Sequence, residues 1–187
     1  VSRAGPNGNE PSGLAFGPAL ETKYALEILE GKRYDNLAQK SCELAGALFE
    51  LAGKSRRGQG YHKALDILES GQALKKMREI IKAQGGKITT SNQIILSGMN
   101  KDVKSEDEGV IQKANVKILT TIARTAGAPA NKLAGLMLHK TEGAKVKKGD
   151  ILFTIYAENE LKLKSAFEYA KKNNPFTFKK IIISTVR

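Results

Sequence analysis

Few side chains in this sequence are equipped for covalent or metal chemistry, and their spacing decides what each can do. His62 and His139 are the only histidines, and neither belongs to a spaced set of ligands, so no metal site is expected. The single cysteine, Cys42, lies in SCELAGALFELAG, whose apolar spacing is helical. It reads as a small buried hydrophobe rather than a nucleophile. Glu158 and Glu160 are close in sequence, but no partner base accompanies them; at the start of a helical stretch they favour its positive end. His139, on a strand pattern beside Lys140, reads as a hydrogen-bonded structural histidine, not a general base. Arg56 and Arg57 in SRRGQG have the charge to meet a nucleotide phosphate, although such a pair is more often solvated. GKSRRGQG follows a helical stretch and lacks the Lys-Ser/Thr ending of a phosphate loop. Arg124 and Lys132 bracket TAGAPAN, where Arg124 serves the end of a helix. No catalytic, cofactor-binding or metal-ligating residue is assigned.

The stretch GAKVKKGDILFTIYAE, residues 143–158, raises a different chemistry. Biotin and lipoyl carriers present a modified lysine on a tight turn between two strands. Here the glycines bracket a basic turn, but no methionine flanks a lysine. The expectation is geometric: Val146 packs inward, Lys145, Lys147 and Lys148 face water, and the Asp150 carboxylate shapes the turn after Gly149.

These groups sit in a chain of 187 residues, enough for one domain or two small ones. The hydrophobic fraction of 41% supports a buried core. Aromatics make up only 6% and Trp is absent, so base-stacking platforms are poorly supplied and nucleic acid is not the expected partner. Lys and Arg number 31 against 19 acids, a formal net charge of +12, which favours anionic partners. The lysines are spread out and form no dense block. No apolar run is long enough to span a membrane, and one cysteine fits a reducing cytoplasm.

Helical periods dominate the first half. Pro18 opens a helix with Leu20, Tyr24, Leu26 and Leu29 inward, closed by Gly31. Gly17 is expected where backbone passes closely before it. Asp35 caps NLAQKSCELAGALFELAG, in which Leu37, Leu44, Leu48 and Leu51 mark a core face. GYHKALDILESG and QALKKMREIIKAQGG supply two more helices, the second with Leu74, Met77 and Ile81 on one side. After Gly86 the pattern changes. A short strand is expected at Val110 and Ile111, then a helix capped by Asn115 and ending before Gly127. Two strands follow around the basic turn. ENELKLKSAFEYAKKNN is a last helix with Leu161, Leu163, Phe167 and Tyr169 partly inward, and PFTFKKIIISTVR a closing strand with the apolar run Ile181 to Ile183.

Three stretches taken together carry a resemblance. NEPSGLAFGPALETKYALEILEG, ALDILESGQALKKMREIIKAQGG and EGVIQKANVKILTTIARTAGAPANKLAGLMLHKTEGAKVKKGDILFTIYAENELKLKSAFEYAKKN resemble the C-terminal portion of the thymidine and pyrimidine-nucleoside phosphorylase family, most closely its archaeal AMP phosphorylase branch. The match runs in order through nearly the whole chain and is weak only at residues 87–106. NEPSG departs from the family's QPIG pattern, with Ser12 in the hydrophobic position.

The resemblance implies an α+β fold: residues 1–86 as C-terminal helices of a larger α/β domain, 87–102 as a linker, and 103–187 as a C-terminal α+β domain with a barrel-sandwich-like hairpin sheet. It implies a parent enzyme in which phosphate attacks the anomeric carbon of a nucleoside or nucleoside monophosphate, releasing free base and ribose phosphate. No cofactor is implied; inorganic phosphate is a co-substrate. The family's phosphate-binding and base-holding groups lie upstream of the segments matched here. This sequence is therefore expected to be part of a longer, cytoplasmic, homo-oligomeric enzyme, and to be inactive alone. The alternative is a non-catalytic polyanion-binding or assembly module.

Overall fold

The computed structural model describes residues 11–179, which divide into two compact units. One comprises residues 11–21 and 95–179, the other residues 22–94. Six helices and two antiparallel sheets make the described chain α+β.

The first unit holds all the strands among the described residues. Its larger sheet has the order β1 (Ala15–Phe16), β4 (Gly135–Leu138), β6 (Ile151–Tyr156), β2 (Asn100–Lys104). The smaller has the order β5 (Lys145–Val146), β3 (Gly109–Ala114), β7 (Phe176–Lys179). Alternation along β4 and β6 places Leu136, Leu138, Phe153 and Ile155 on one face, all essentially inaccessible to water. Helix α5 (Val116–Ala126) adds Leu119, Ile122 and Ala126, helix α6 (Glu160–Lys172) adds Ala166 and Ala170, and the smaller sheet adds Ile111, Val146 and Phe176. Both helices begin at caps: Asn115 Oδ1 accepts from the Lys117 and Ile118 amides, and Asn159 Oδ1 from Lys162. In α6, Leu163, Phe167 and Tyr169 pack on the core as expected, whereas Leu161 is exposed because the buried side is the Ala166 and Ala170 side.

Backbone passes very close where β1 meets β4. Gly135 has φ +153°, and a Cβ there would lie 1.9 Å from the Phe16 carbonyl oxygen. Gly17 has φ +120°, and a Cβ would lie 2.3 Å from the Ala134 oxygen. Only glycine fits both positions.

The basic turn stands between β5 and β6, but these two strands are not partners. β5 pairs with β3, while β6 pairs with β4 and β2, so the two strands expected around the basic turn are β4 and β6, paired antiparallel, and Lys145–Val146 between them joins the smaller sheet. Within the turn, Val146 is buried, the three lysines are exposed, and Asp150 Oδ2 accepts from the Lys147 amide at 3.1 Å. Strand β2 carries no sequence alternation; only Val103 of NKDVK is buried, and the strand exists through its ladder with β6. β7 confirms the start of the closing strand, while Ile181 to Ile183 lie outside the described residues.

The second unit is helical. It contains most of α1 (Pro18–Leu29), then α2 (Asn36–Leu51), α3 (Gly60–Glu69), α4 (Gln72–Ala83) and a 3-10 turn at Ser91–Gln93. Asp35 caps α2 through its Oδ1, which accepts from the Leu37 and Ala38 amides. On α1, Leu20, Tyr24 and Leu26 are buried, with Ile28 rather than Leu29 as the fourth fully buried apolar residue.

The expected leucine core face of α2 is overturned. Leu44, Leu48 and Leu51 are 54%, 65% and 85% exposed, and Leu37 is only half-buried. The buried side of α2 is instead Ala38, Cys42 and Gly46, and Gly46 meets Gly60 of α3. The cause is steric. Gly46 and Gly60 bring the two backbones so close that a Cβ on Gly60 would stand 2.1 Å from the Gly46 oxygen. Large leucines cannot enter such a crossing. On α4 no residue is fully buried; Leu74, Met77 and Ile81 are half-buried and Ile80 is exposed.

Candidate functional site

A polar cluster of the strand-bearing unit lies on the face of the larger sheet opposite Leu136, Leu138, Phe153 and Ile155. Alternation puts Thr154 and Tyr156 of β6 there, with Asp102 of β2 directly across from Thr154. The Thr154 hydroxyl donates to Asp102 Oδ1 at 2.7 Å and stands 2.8 Å from His139 Nε2. With its proton given to the carboxylate, Thr154 must accept from His139, so Nε2 carries hydrogen. Threonine in the middle separates histidine from carboxylate and is itself buried. This order is the reverse of a nucleophile–base–orienter chain, where histidine stands between the other two. The cluster joins β2, β6 and the end of β4, which is the structural role expected of His139. Burial, then the charge of Asp102, pushes the Tyr156 hydroxyl up from its ordinary value. Asp102 and Thr154 carry no sequence signal; strand pairing alone brings them to His139.

Beside this cluster, Asp150 Oδ2 stands 3.6 Å from Lys140 Nζ. Glu158 donates its amide to the Ala126 oxygen and pairs with Lys162 one turn along α6, while Glu160 occupies the first turn of that helix. The two carboxylates therefore serve α6, as expected from their position. Arg124 lies in the last turn of α5, and the Lys132 carbonyl accepts from the Ala19 amide.

In the helical unit, Cys42 is buried, and burial followed by the charge of Glu69 pushes its thiol up, away from thiolate chemistry. His62 stacks edge-on against Tyr61. Arg56 and Arg57 are exposed on the loop between α2 and α3. That loop is held by Glu50, whose Oε1 accepts from the Gly58 and Gly60 amides at 3.0 and 2.8 Å. A denser network ties residues 91–94 to α1. Glu30 accepts from the Ser91 amide at 2.8 Å and its hydroxyl at 2.5 Å, and pairs with Lys32 at 2.8 Å. Lys23 Nζ donates to the Ser91 oxygen at 3.0 Å. Burial pushes the Glu30 carboxyl up, but Lys32 and the two Ser91 donors outweigh it and hold the group down at about 2. Every partner here is internal, so the network is a clasp.

The same unit carries a cavity of about 450 Å³ with an almost wholly apolar lining, including Ile28, Leu29, Cys42, Phe49, Ile67 and Leu68. No group of three or more His, Cys, Asp or Glu among the described residues is arranged to hold a metal ion, and no described helix is long and apolar enough to cross a membrane.

With two sheets, their covering helices and the helical unit in place, comparison with known proteins can be reported. Residues 110–177 match the family described as pyrimidine nucleoside phosphorylase C-terminal domain, and nearly the whole chain is similar to phosphorylases. Among individual relatives, an AMP phosphorylase of Methanospirillum hungatei is 45% identical over 181 residues, 96% of this chain and 35% of the relative. An AMP phosphorylase of Methanosarcina mazei is 41% identical over 181 residues, and AMP phosphorylase 2 of Archaeoglobus fulgidus is 41% identical over 184; they cover 96% and 98% of this chain and 36% of each relative. The chain thus spans about a third of the length of the curated relatives it matches.

Proposed function

We propose that this chain forms the C-terminal part of an AMP phosphorylase, a pentosyltransferase in which inorganic phosphate displaces the base from the nucleotide to leave a ribose phosphate. The observation that carries this reading is identity of 41–45% to AMP phosphorylases across 96–98% of the chain. AMP is favoured over a pyrimidine nucleoside because these relatives bear that name. Phosphate is the co-substrate, and no other cofactor takes part. The parent enzyme is cytoplasmic and homo-oligomeric in this reading.

The chain contributes architecture, not reacting groups. Phosphorolysis needs donors that place phosphate and stabilise charge on the leaving base. His139 and Asp102 are committed to Thr154, Glu158 to Lys162, and Cys42 is a buried neutral thiol. The chain by itself is accordingly inactive. The test incubates it with phosphate and, separately, AMP, thymidine and uridine. It does the same for a hybrid in which this chain replaces the matched 181 residues of the Methanospirillum hungatei AMP phosphorylase. Adenine release by the hybrid alone is expected. Base release by the isolated chain, proportional to protein, would defeat the architectural reading; release from uridine but not AMP by the hybrid would move the substrate to the nucleoside branch.

A further inference from the structure

The smaller sheet turns one face to the core and the other to water. Ile111, Ala114, Val146 and Phe176 are buried, and Phe178 packs on the same core. Alternation then directs Lys145 of β5, Val110 and Lys113 of β3, and Thr177 and Lys179 of β7 outward. The register aligns them. Lys145 is paired with Val110 and Val110 with Lys179, so two lysines stand in one row across three strands, about 10 Å apart. Lys113, paired with Thr177, stands one row further along. Lys147 and Lys148 are exposed in the turn directly after β5. Three distant segments of chain thus gather five lysines around one small sheet.

These charges are not neutralised. Lys140, Lys162 and Lys171 of the same unit stand against Asp150, Glu158 and Glu106. Among the described residues, no carboxylate lies within ion-pair distance of Lys113, Lys145, Lys147, Lys148 or Lys179. Neighbouring acids are used otherwise: Glu142 accepts from the Ala114 amide and Asp150 from the Lys147 amide. Glu108, just before β3, borders the face without pairing to it. Unpaired ammonium groups are too costly to bury against apolar surface, so this face meets either water or an anion. Together they make a positive patch suited to a partner with closely repeated negative charge.

We infer that the outer face of the smaller sheet binds the phosphate backbone of a nucleic acid duplex. A duplex carries one charge per about 1.7 Å of its axis, denser than an extended acidic peptide at about one per 3.3 Å. Lysine is a point charge that meets phosphate without reading base edges, and the ladder holds Lys113, Lys145 and Lys179 at fixed spacing. The outward positions carry no aromatic ring on which an unpaired base could stack, so a single strand lacks its usual platform. They carry no large apolar side chain to enter a bilayer either. Such binding is independent of base sequence and separate from phosphorolysis.

The test follows the fluorescence anisotropy of a short DNA duplex of mixed sequence, titrated with the 187-residue chain at several salt concentrations. Three to five phosphate contacts give a slope of log K against log salt of about −3 to −4.5. The triple variant Lys113→Gln, Lys145→Gln, Lys179→Gln should weaken binding by about tenfold or more and flatten the slope by about 3. A second triple, Lys117→Gln, Lys132→Gln, Lys164→Gln, removes the same charge from exposed lysines elsewhere in the unit and should stay within about twofold of the unsubstituted chain. Melting curves check that both variants fold. If the first does not, lysine acetylation of the unsubstituted chain with and without duplex takes its place. Lys113, Lys145, Lys147, Lys148 and Lys179 should then be protected relative to Lys117, Lys132 and Lys164. Absence of duplex binding, equal loss in the two triples, or uniform acetylation would overturn the inference. Tighter binding to a single strand, to polyglutamate or to phosphatidylserine vesicles would overturn it too, by giving the face a different partner.

Discussion

The two units place opposite kinds of side chain inside. In the strand-bearing unit Phe153, Leu136, Leu138, Ile155 and Ile122 fill the centre, and two helices and two sheets close around them. In the helical unit the buried residues of α2 and α3 are the small Ala38, Cys42, Gly46, Gly60 and Ala64, with Gly46 against Gly60, while leucines of α2 face water. Both arrangements obey the same packing rule. Bulk goes where space is to be filled, and small residues go where backbones approach. What differs is completeness: the first unit supplies both sides of its core, and the second supplies one side of a contact that its own elements leave open.

The sharpest way to break that comparison is to remove bulk on each side. Phe153→Ala is expected to destabilise the strand-bearing unit by about 3–5 kcal/mol, from lost burial and a cavity. Thermal melting of the chain reads this out, and a change near zero would show that this core is loosely packed.

Acid should act on the helical unit next. Glu30 ionises at about 2 in the fold against an ordinary 4.5, so its contribution is present above pH 4.5 and is lost as pH falls from there towards 2. The full linkage effect of that shift is about 3 kcal/mol, and solvent screening brings the expected loss down to about 2 kcal/mol. Glu30→Gln should lower stability at neutral pH and flatten the acid limb, measured by denaturant unfolding at pH 7 and pH 3. An unchanged limb would mean that the clasp at Ser91 does not support the unit.

Gly60→Ala tests the crossing itself. Alanine favours a helix by about 1 kcal/mol over glycine. The overlap with the Gly46 carbonyl should outweigh that gain, for a net loss of about 1–2 kcal/mol in α2–α3 stability. Stabilisation would show that the backbones have room to separate.

Smallest of all, Leu48→Ser and Leu51→Ser in the isolated chain should change stability by less than about 0.5 kcal/mol. A large loss would mean that the leucine side already packs on something within the chain.

These contrasts also explain what the sequence made legible. Caps are local, so Asp35 and Asn115 announced two helix starts from their residue types. The turn at Gly149–Asp150 and the inward Val146 were equally local. The helical period of Leu37, Leu44, Leu48 and Leu51 identified one face of α2 but not the neighbour that would meet it, and the neighbour turned out to be on the glycine side. Strand β2 escaped notice because NKDVK gains its conformation from β6, far along the chain. The polar cluster was hidden for the same reason, since only pairing brings Asp102 to Thr154. The phosphorylase resemblance was legible because long stretches matched in order, whereas the separate partners of β5 and β6 required the ladder.

The central claim is that one unit is complete and the other is not. Native-state hydrogen exchange of the 187-residue chain tests it most directly, because amides report the opening energy of each unit separately. Amides of β4, β6 and α5 should exchange only through the highest-energy opening of the chain, while those of α2, α3 and α4 exchange through a smaller opening that leaves the sheets intact. Equal or greater protection in α2–α4 than in β6 would contradict the account, for it would mean that the helical unit closes on itself with its leucines in water.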